Sequence, residues 1–185
     1  MNKDSIVLGS GRVYVTEFDA ATGIPEDSVL ETEENRIGYI SGGATLEYSP
    51  TFYEAKDDLG VVTKTILTEE EANFKTGIMT FCASTLNKLC STGRVTEDAE
   101  KKIRTIKIGG AGNDTGKKYV VHFVHKDAQD GDIRITIVGR NEAGFSLAFA
   151  KDSETVIDAE FKCQSMDTDG TLIVYKEEYT PVVEG

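Results

Sequence analysis

Alternation with a period of two limits what this chain can fold into more than any other feature of its sequence. Ile133-Arg-Ile-Thr-Ile-Val138 sets an isoleucine at every second position, and Ile157-Asp-Ala-Glu-Phe-Lys-Cys163 does the same with Ile157, Ala159, Phe161 and Cys163. Successive side chains of a strand point to opposite faces, so both segments read as half-buried strands. Phe145-Ser-Leu-Ala-Phe-Ala150 repeats the pattern and is expected to be a third, with Phe145, Leu147 and Phe149 on one face. Weaker strand candidates are Arg12 to Phe18, Arg36 to Tyr48, Val61 to Thr68, Ile103 to Ile108, Lys118 to Lys126 and Thr171 to Lys176. Thr68-Glu-Glu-Glu71 has the form of a helix capping box, yet Ala72, Phe74, Ile78 and Thr80 alternate with Asn73, Lys75, Met79 and Phe81, which favours a strand.

Asp130-Gly131, Asn141 to Gly144 and Asp169-Gly170 tolerate positive φ and close hairpins, so the second half reads as an antiparallel meander. One helix is expected from Ser84, which can cap it. Leu86, Leu89 and Cys90 then form an apolar stripe able to plug one end or edge of a sandwich. Two stretches lack periodicity and read as long connections: the acidic Asp19 to Asn35, and Ser49 to Gly60 with its exposed aromatics. No linker or repeat divides the 185 residues, a length that supports a sizeable core. The expected organisation is one mainly β domain over 12–179, a β-sandwich or partly closed barrel with one short flanking helix. A flexible N-terminal arm (1–11) precedes it and a C-terminal tail (180–185) follows.

Lys+Arg 20 against Asp+Glu 32 gives a net charge of −12, which argues against tight binding to nucleic acid or anionic membranes. Met1 to Gly9 has too short an apolar run for an export signal, and nothing approaches the roughly 18 apolar residues of a membrane helix, so a soluble protein is expected. Cys82, Cys90 and Cys163 lack CxxC spacing and read as small buried hydrophobes, not disulfides or zinc ligands.

Motifs for chemistry fail on spacing. His122 and His125, at i and i+3 of a strand, project to opposite faces and cannot share a metal ion. With only 2 histidines and no nucleophile elbow, a Ser/His/Asp triad has no base. Gly109 to Lys118 lacks the first P-loop glycine and the Ser/Thr after the lysine, and reads as a flexible hairpin tip. Asp127 to Asp132 and Asp167 to Gly170 lack the calcium-loop alternation and its distal Glu, and read as acidic turns. The runs Glu31 to Glu34 and Glu69 to Glu71 read as solvated faces. No catalytic residue, cofactor or metal is expected.

Read together, Ile37-Gly-Tyr-Ile-Ser-Gly-Gly-Ala-Thr-Leu-Glu-Tyr48, Lys64 to Glu71, Lys75-Thr-Gly-Ile-Met79, Leu86-Asn-Lys-Leu89, Gly116 to Lys126, Asp130 to Gly139, Ala143 to Asp152 and Glu154 to Phe161 resemble a known family. It is the tail tube (major tail) proteins of long-tailed bacteriophages and of prophages in Gram-positive hosts. The resemblance runs through about residues 12 to 176. It implies a structural virion protein of the viral tail, assembled in the host cytoplasm into stacked hexameric rings. These rings form the conduit for DNA ejection. Implied partners are further copies of itself, the tape-measure protein, and the tail terminator and distal tail proteins, with DNA passing transiently and no membrane contact. It also implies that the long connection reaches an adjacent subunit or ring, which makes Pro50, Thr51, Phe52, Tyr53, Glu54, Lys56, Asp57, Asp58 and Leu59 the subunit-interface candidates. Alternatives are the inner tube of a contractile tail or phage-derived particle, and a monomeric β-sandwich ligand-binding module using Tyr48, Phe52 and Tyr53 as a stacking platform.

Overall fold

The computed structural model describes residues 9–61 and 63–179; Met1 to Leu8, and so most of the expected N-terminal arm, lie outside the described residues with Val62 and the whole tail Thr180 to Gly185. In chain order the elements are β1 (Arg12–Glu17), α1 (Asp27–Leu30), β2 (Ile40–Lys56), β3 (Thr63–Ile78), α2 (Ala83–Lys88), β4 (Arg94–Asp98) and β5 (Ile103–Lys107). After a 3-10 turn at Ala111–Asn113 come β6 (Tyr119–His125), β7 (Ile133–Asn141), β8 (Ile157–Gln164) and β9 (Ile173–Glu177). The fold is mainly β. One large antiparallel sheet runs β1-β6-β7-β8-β3-β2, with β9 also beside β7, and β4 and β5 pair as a small second sheet. The large sheet is open, with β1 and β2 at its edges, so it does not close into a barrel.

Burial explains the sequence pattern strand by strand. On one face Val13, Val15, Phe74, Ile78, Val121, Ile137, Ile157 and Phe161 form the main cluster under Leu89 of the helical segment. On the other, Val120 and Val138 pack beneath Leu30. β6 and β7 are thus covered on both sides, which is why Tyr119 to Val124 is a nearly continuous apolar run. β3 and β8 are covered on one side only. Their outward Lys75 and Lys162 pair with Glu47 at 2.8 Å and Glu71 at 3.2 Å, giving the alternation its polar half.

Several expectations need correction. The second half is not a simple meander: β7 pairs with β9 through Ile133 to Ile137 and with β8 through Val138 to Asn141, because β8 leaves β7 to join β3. Phe145 to Ala150 forms no strand. Phe145 and Leu147 still tuck against the core, but with β8 seated between β7 and β3 the segment has no ladder partner, and Phe149 is 81% exposed. The cap of α2 lies two residues before the expected Ser84: Cys82 takes the N-cap position, its N–H donating to Thr85 Oγ1 at 3.3 Å. Thr85 in turn donates to the carbonyl of Ile37 at 3.2 Å, tying the helix to the sheet. Lys88 is also drawn in; its Nζ donates to the Val15 carbonyl at 2.6 Å, and burial lowers its pKa.

Candidate assembly surface

The stretch Ser49 to Gly60 is not a loop. β2 is 17 residues long and β3 16, and they pair from Ile40↔Ile78 out to Lys56↔Thr63, leaving only Asp57 to Val61, with Val62, to close the hairpin. The half nearest the body packs; the outer half does not. Every described residue from Glu47 to Glu71 is exposed, whereas the next, Ala72, is buried. At about 3.3 Å per residue, Tyr48 to Lys56 extend an arm roughly 30 Å from the body. No alternation marks its β2 half, Ser49 to Lys56, because neither face is buried against its own chain; the β3 half contains Thr63 to Thr68 of the expected strand Val61 to Thr68.

Register sorts the arm's side chains. Thr51 pairs with Glu69 but Phe52 pairs with Leu67, so Thr68 is a bulge residue, held by its hydroxyl donating to the Thr51 carbonyl at 3.1 Å. Phe52 and Leu67 therefore share one face with Tyr48, Pro50, Glu54 and Lys56. Tyr53 and Ile66 share the other with Thr51, Glu69 and Glu71. Asp57, Asp58 and Leu59 sit in the turn, where Leu59 is 85% exposed. The nine interface candidates thus all lie on one projecting element but on three surfaces of it. Tyr48, Phe52 and Tyr53 do not form one platform, since Tyr53 faces away from the other two. Tyr48 is also engaged, its hydroxyl donating to Glu70.

The free edge of β2 adds to this surface. Among the described residues no strand pairs with its outer side. The opposite edge is partly covered: Val15 N–H donates to Asn35 O at 2.7 Å and Ile37 N–H to Val13 O at 3.1 Å. A long exposed edge is a ready template for another chain.

Other candidate residues are engaged structurally. His122 and His125 lie on opposite faces, as their spacing requires. His122 Nδ1 stands 2.8 Å from Thr136 Oγ1, and His125 Nδ1 donates to Ser10 O at 2.8 Å. Glu31 is not solvated: it binds Arg134 Nε at 2.7 Å with its side chain 14% exposed, and Arg134 also reaches Glu178 at 2.7 Å and Asp132 at 3.1 Å. These bonds raise the Arg134 pKa further. Sequence spacing cannot reveal this cluster, because its members meet only when α1 folds over β7. Asp127 accepts from the N–H groups of Gln129 and Asp130, and Asp167 from Asp169 and Thr171, as turn-forming carboxylates do.

Gly109 to Lys118 is not a hairpin tip. It crosses from β5 of the small sheet to β6 of the large one, and Thr115 N–H is anchored on Ser91 O at 3.0 Å. The cysteines also differ from expectation: Cys163 is buried, Cys90 half-buried and Cys82 exposed. Hydrogen bonds from Thr85 and Ser84 overcome the opposing effect of burial and lower the Cys82 pKa, while burial pushes Cys163 up to about 11.

A groove of about 630 Å³ lies between Gly42-Gly43 and Ala143 to Ser146, floored by Lys75 to Gly77 and Asp158 to Glu160. Lys75 is drawn to Glu47 and Glu160, which raises its pKa. The groove's polar lining holds no histidine, cysteine or tyrosine. Among the described residues no helix is long and apolar enough to cross a membrane, and no group of three or more His, Cys, Asp or Glu is placed to hold a metal ion. Comparison with protein-family models and with curated proteins finds no match.

Proposed function

We propose that this chain is a self-assembling structural subunit, a tail tube protein whose hexameric rings stack into the conduit for phage DNA. The observation that carries the reading is the β2–β3 arm. It spends more than twenty residues on a paired, regular element that buries nothing in its own chain, while carrying Phe52, Tyr53, Ile66 and Leu67, each about half exposed (58%, 59%, 46% and 46%). Apolar surface on both faces of a projecting hairpin is stabilised only when other chains cover it. The unpaired β2 edge supports the same reading, since joining sheets between subunits removes open edges.

Charge is consistent with a conduit. At −12 per subunit the assembly repels phosphates, so DNA slides without adhering. Within this reading the tape-measure, terminator and distal tail proteins are the other partners. Negative-stain microscopy of the concentrated protein tests it: rings or tubes are expected, and a uniform field of monomers at every concentration and salt would overturn it.

A further inference from the structure

We infer that the arm of one copy docks, through its Tyr53/Ile66 face, on the outward face of the β4–β5 hairpin of a second copy. The inference rests on the proposed self-assembly and names the surface that receives the arm. The arm is acidic, with Glu47, Glu54, Asp57, Asp58, Glu69, Glu70 and Glu71 against Lys56 and Lys64. The β4–β5 hairpin is the opposite. Arg94, Lys101, Lys102, Arg104 and Lys107 outnumber Glu97, Asp98 and Glu100 in a chain that is otherwise strongly negative.

Pairing defines the receiving face. Arg94 lies opposite Lys107, Thr96 opposite Thr105 and Asp98 opposite Ile103. Val95 and Ile106, on the other face, are half-buried toward the body, so the first set faces outward. Two cations directly across a ladder repel, and neither forms an ion pair with a carboxylate of its own chain among the described residues. Arg94 Nη1 donates a hydrogen bond to Gly109 O at 3.2 Å. At the other end of this face Ile103 is 54% exposed.

The arm presents the matching order at the matching spacing. Glu71 lies opposite Ser49, Glu69 opposite Thr51, and Ile66 opposite Tyr53. From the Ser49/Glu71 pair to the Tyr53/Ile66 pair is four ladder steps, as it is from Arg94/Lys107 to Asp98/Ile103, roughly 13 Å in each case. Laid face to face, Glu71 meets the Arg94/Lys107 rung and Glu69 follows one cross-strand pair along on the same face, while Tyr53 and Ile66 meet Ile103 beside Asp98, whose charge is taken up by Lys101 at 3.0 Å. The ion pair of Glu71 with Lys162 is about half exposed on both sides and can be exchanged on docking. Because the arm and its receiving face are different surfaces, the contact runs head to tail and propagates into rings or filaments.

Charge reversal tests the contact in the intact chain. R94E/K107E and E69K/E71K are each expected to raise the concentration needed for assembly by about tenfold or more. The chain carrying all four changes is expected to recover assembly, and circular dichroism should show the wild-type fold throughout. If either reversal unfolds the chain, R94Q/K107Q and E69Q/E71Q carry the same test by loss of assembly without repulsion. Wild-type assembly that R94E/K107E leaves unchanged, or that the fourfold exchange fails to recover, overturns this docking and leaves the tube reading standing. A wild-type chain that never assembles overturns both.

Discussion

Phe52 and Tyr53 are neighbours in sequence but face opposite sides of the same hairpin, Phe52 paired with Leu67 and Tyr53 with Ile66. An element with apolar side chains on both faces and no core of its own is built to be enclosed. Exposed as they are, these side chains contribute little to the fold. F52S/Y53S should change monomer stability by no more than about 0.5 kcal/mol while abolishing assembly, read by thermal melting and sedimentation velocity. A large loss of stability would place the arm in the core.

The buried ion cluster makes the opposite prediction. Arg134 pairs with Glu31, Asp132 and Glu178 at once, with Glu31 and Arg134 mostly enclosed at 14% and 16% side-chain exposure. Removing it leaves Glu31 and Asp132, 14% and 19% exposed, without their arginine and Glu31 with Lys126 at 3.6 Å, so Arg134→Ala should cost about 2 kcal/mol in urea unfolding, a loss that a surface arginine would not produce.

Acid should act in two stages. Burial is the largest influence on His122 and pulls its pKa below the ordinary 6.5, against the opposing pull of Asp27 and Glu31. The unfolded chain then takes up a proton that the folded chain refuses, so stability is full above about pH 6.5 and declines as pH falls through it, by up to about 1.4 kcal/mol per pH unit. Burial raises the Glu31 pKa, but its bond and attraction to Arg134 win and hold it below the ordinary carboxylate value of 4.5. Its contribution is present above that value and is lost at lower pH. His122→Gln, which keeps a partner for Thr136, should remove the first stage and retain the second in urea titrations at stepped pH.

Thiol labelling separates the cysteines. Cys82 is exposed with its pKa lowered, and Cys163 is buried with its pKa pushed up to about 11. Brief iodoacetamide treatment followed by peptide mass mapping should modify Cys82 first and Cys163 only after denaturation.

Much of the sheet was legible in the sequence wherever one face of a strand meets a core and the other meets water. Phe74 to Ile78 and Ile157 to Cys163 show this, and the alternation of Ala72 onward correctly outweighed the capping-box pattern at Thr68. Only half of the arm was legible: Val61 to Thr68 reads as a strand and Thr63 to Thr68 lie in β3, whereas Ser49 to Lys56 of β2 does not, because exposure on both faces erases the periodicity that signals a strand. Phe145 to Ala150 failed for the converse reason: its alternation reflects real packing of Phe145 and Leu147, but hydrogen-bond partners depend on where β8 goes. The meeting of Glu31 with Arg134, 103 positions apart, leaves no local trace at all. The interface candidates could be assigned to one segment and divide between its faces by simple alternation, yet which β3 side chains join each face rests on a single bulge at Thr68 that no sequence pattern announces.

Trimming the arm in register tests the central claim most directly. Because Ser49 pairs with Glu71, replacing residues 50–70 by Asn-Gly closes a short hairpin at that rung and leaves the rest of the ladder intact. Sedimentation velocity over a concentration series should show wild-type protein passing into rings or longer assemblies while the trimmed chain stays a folded monomer. Equal assembly by both chains would contradict the account.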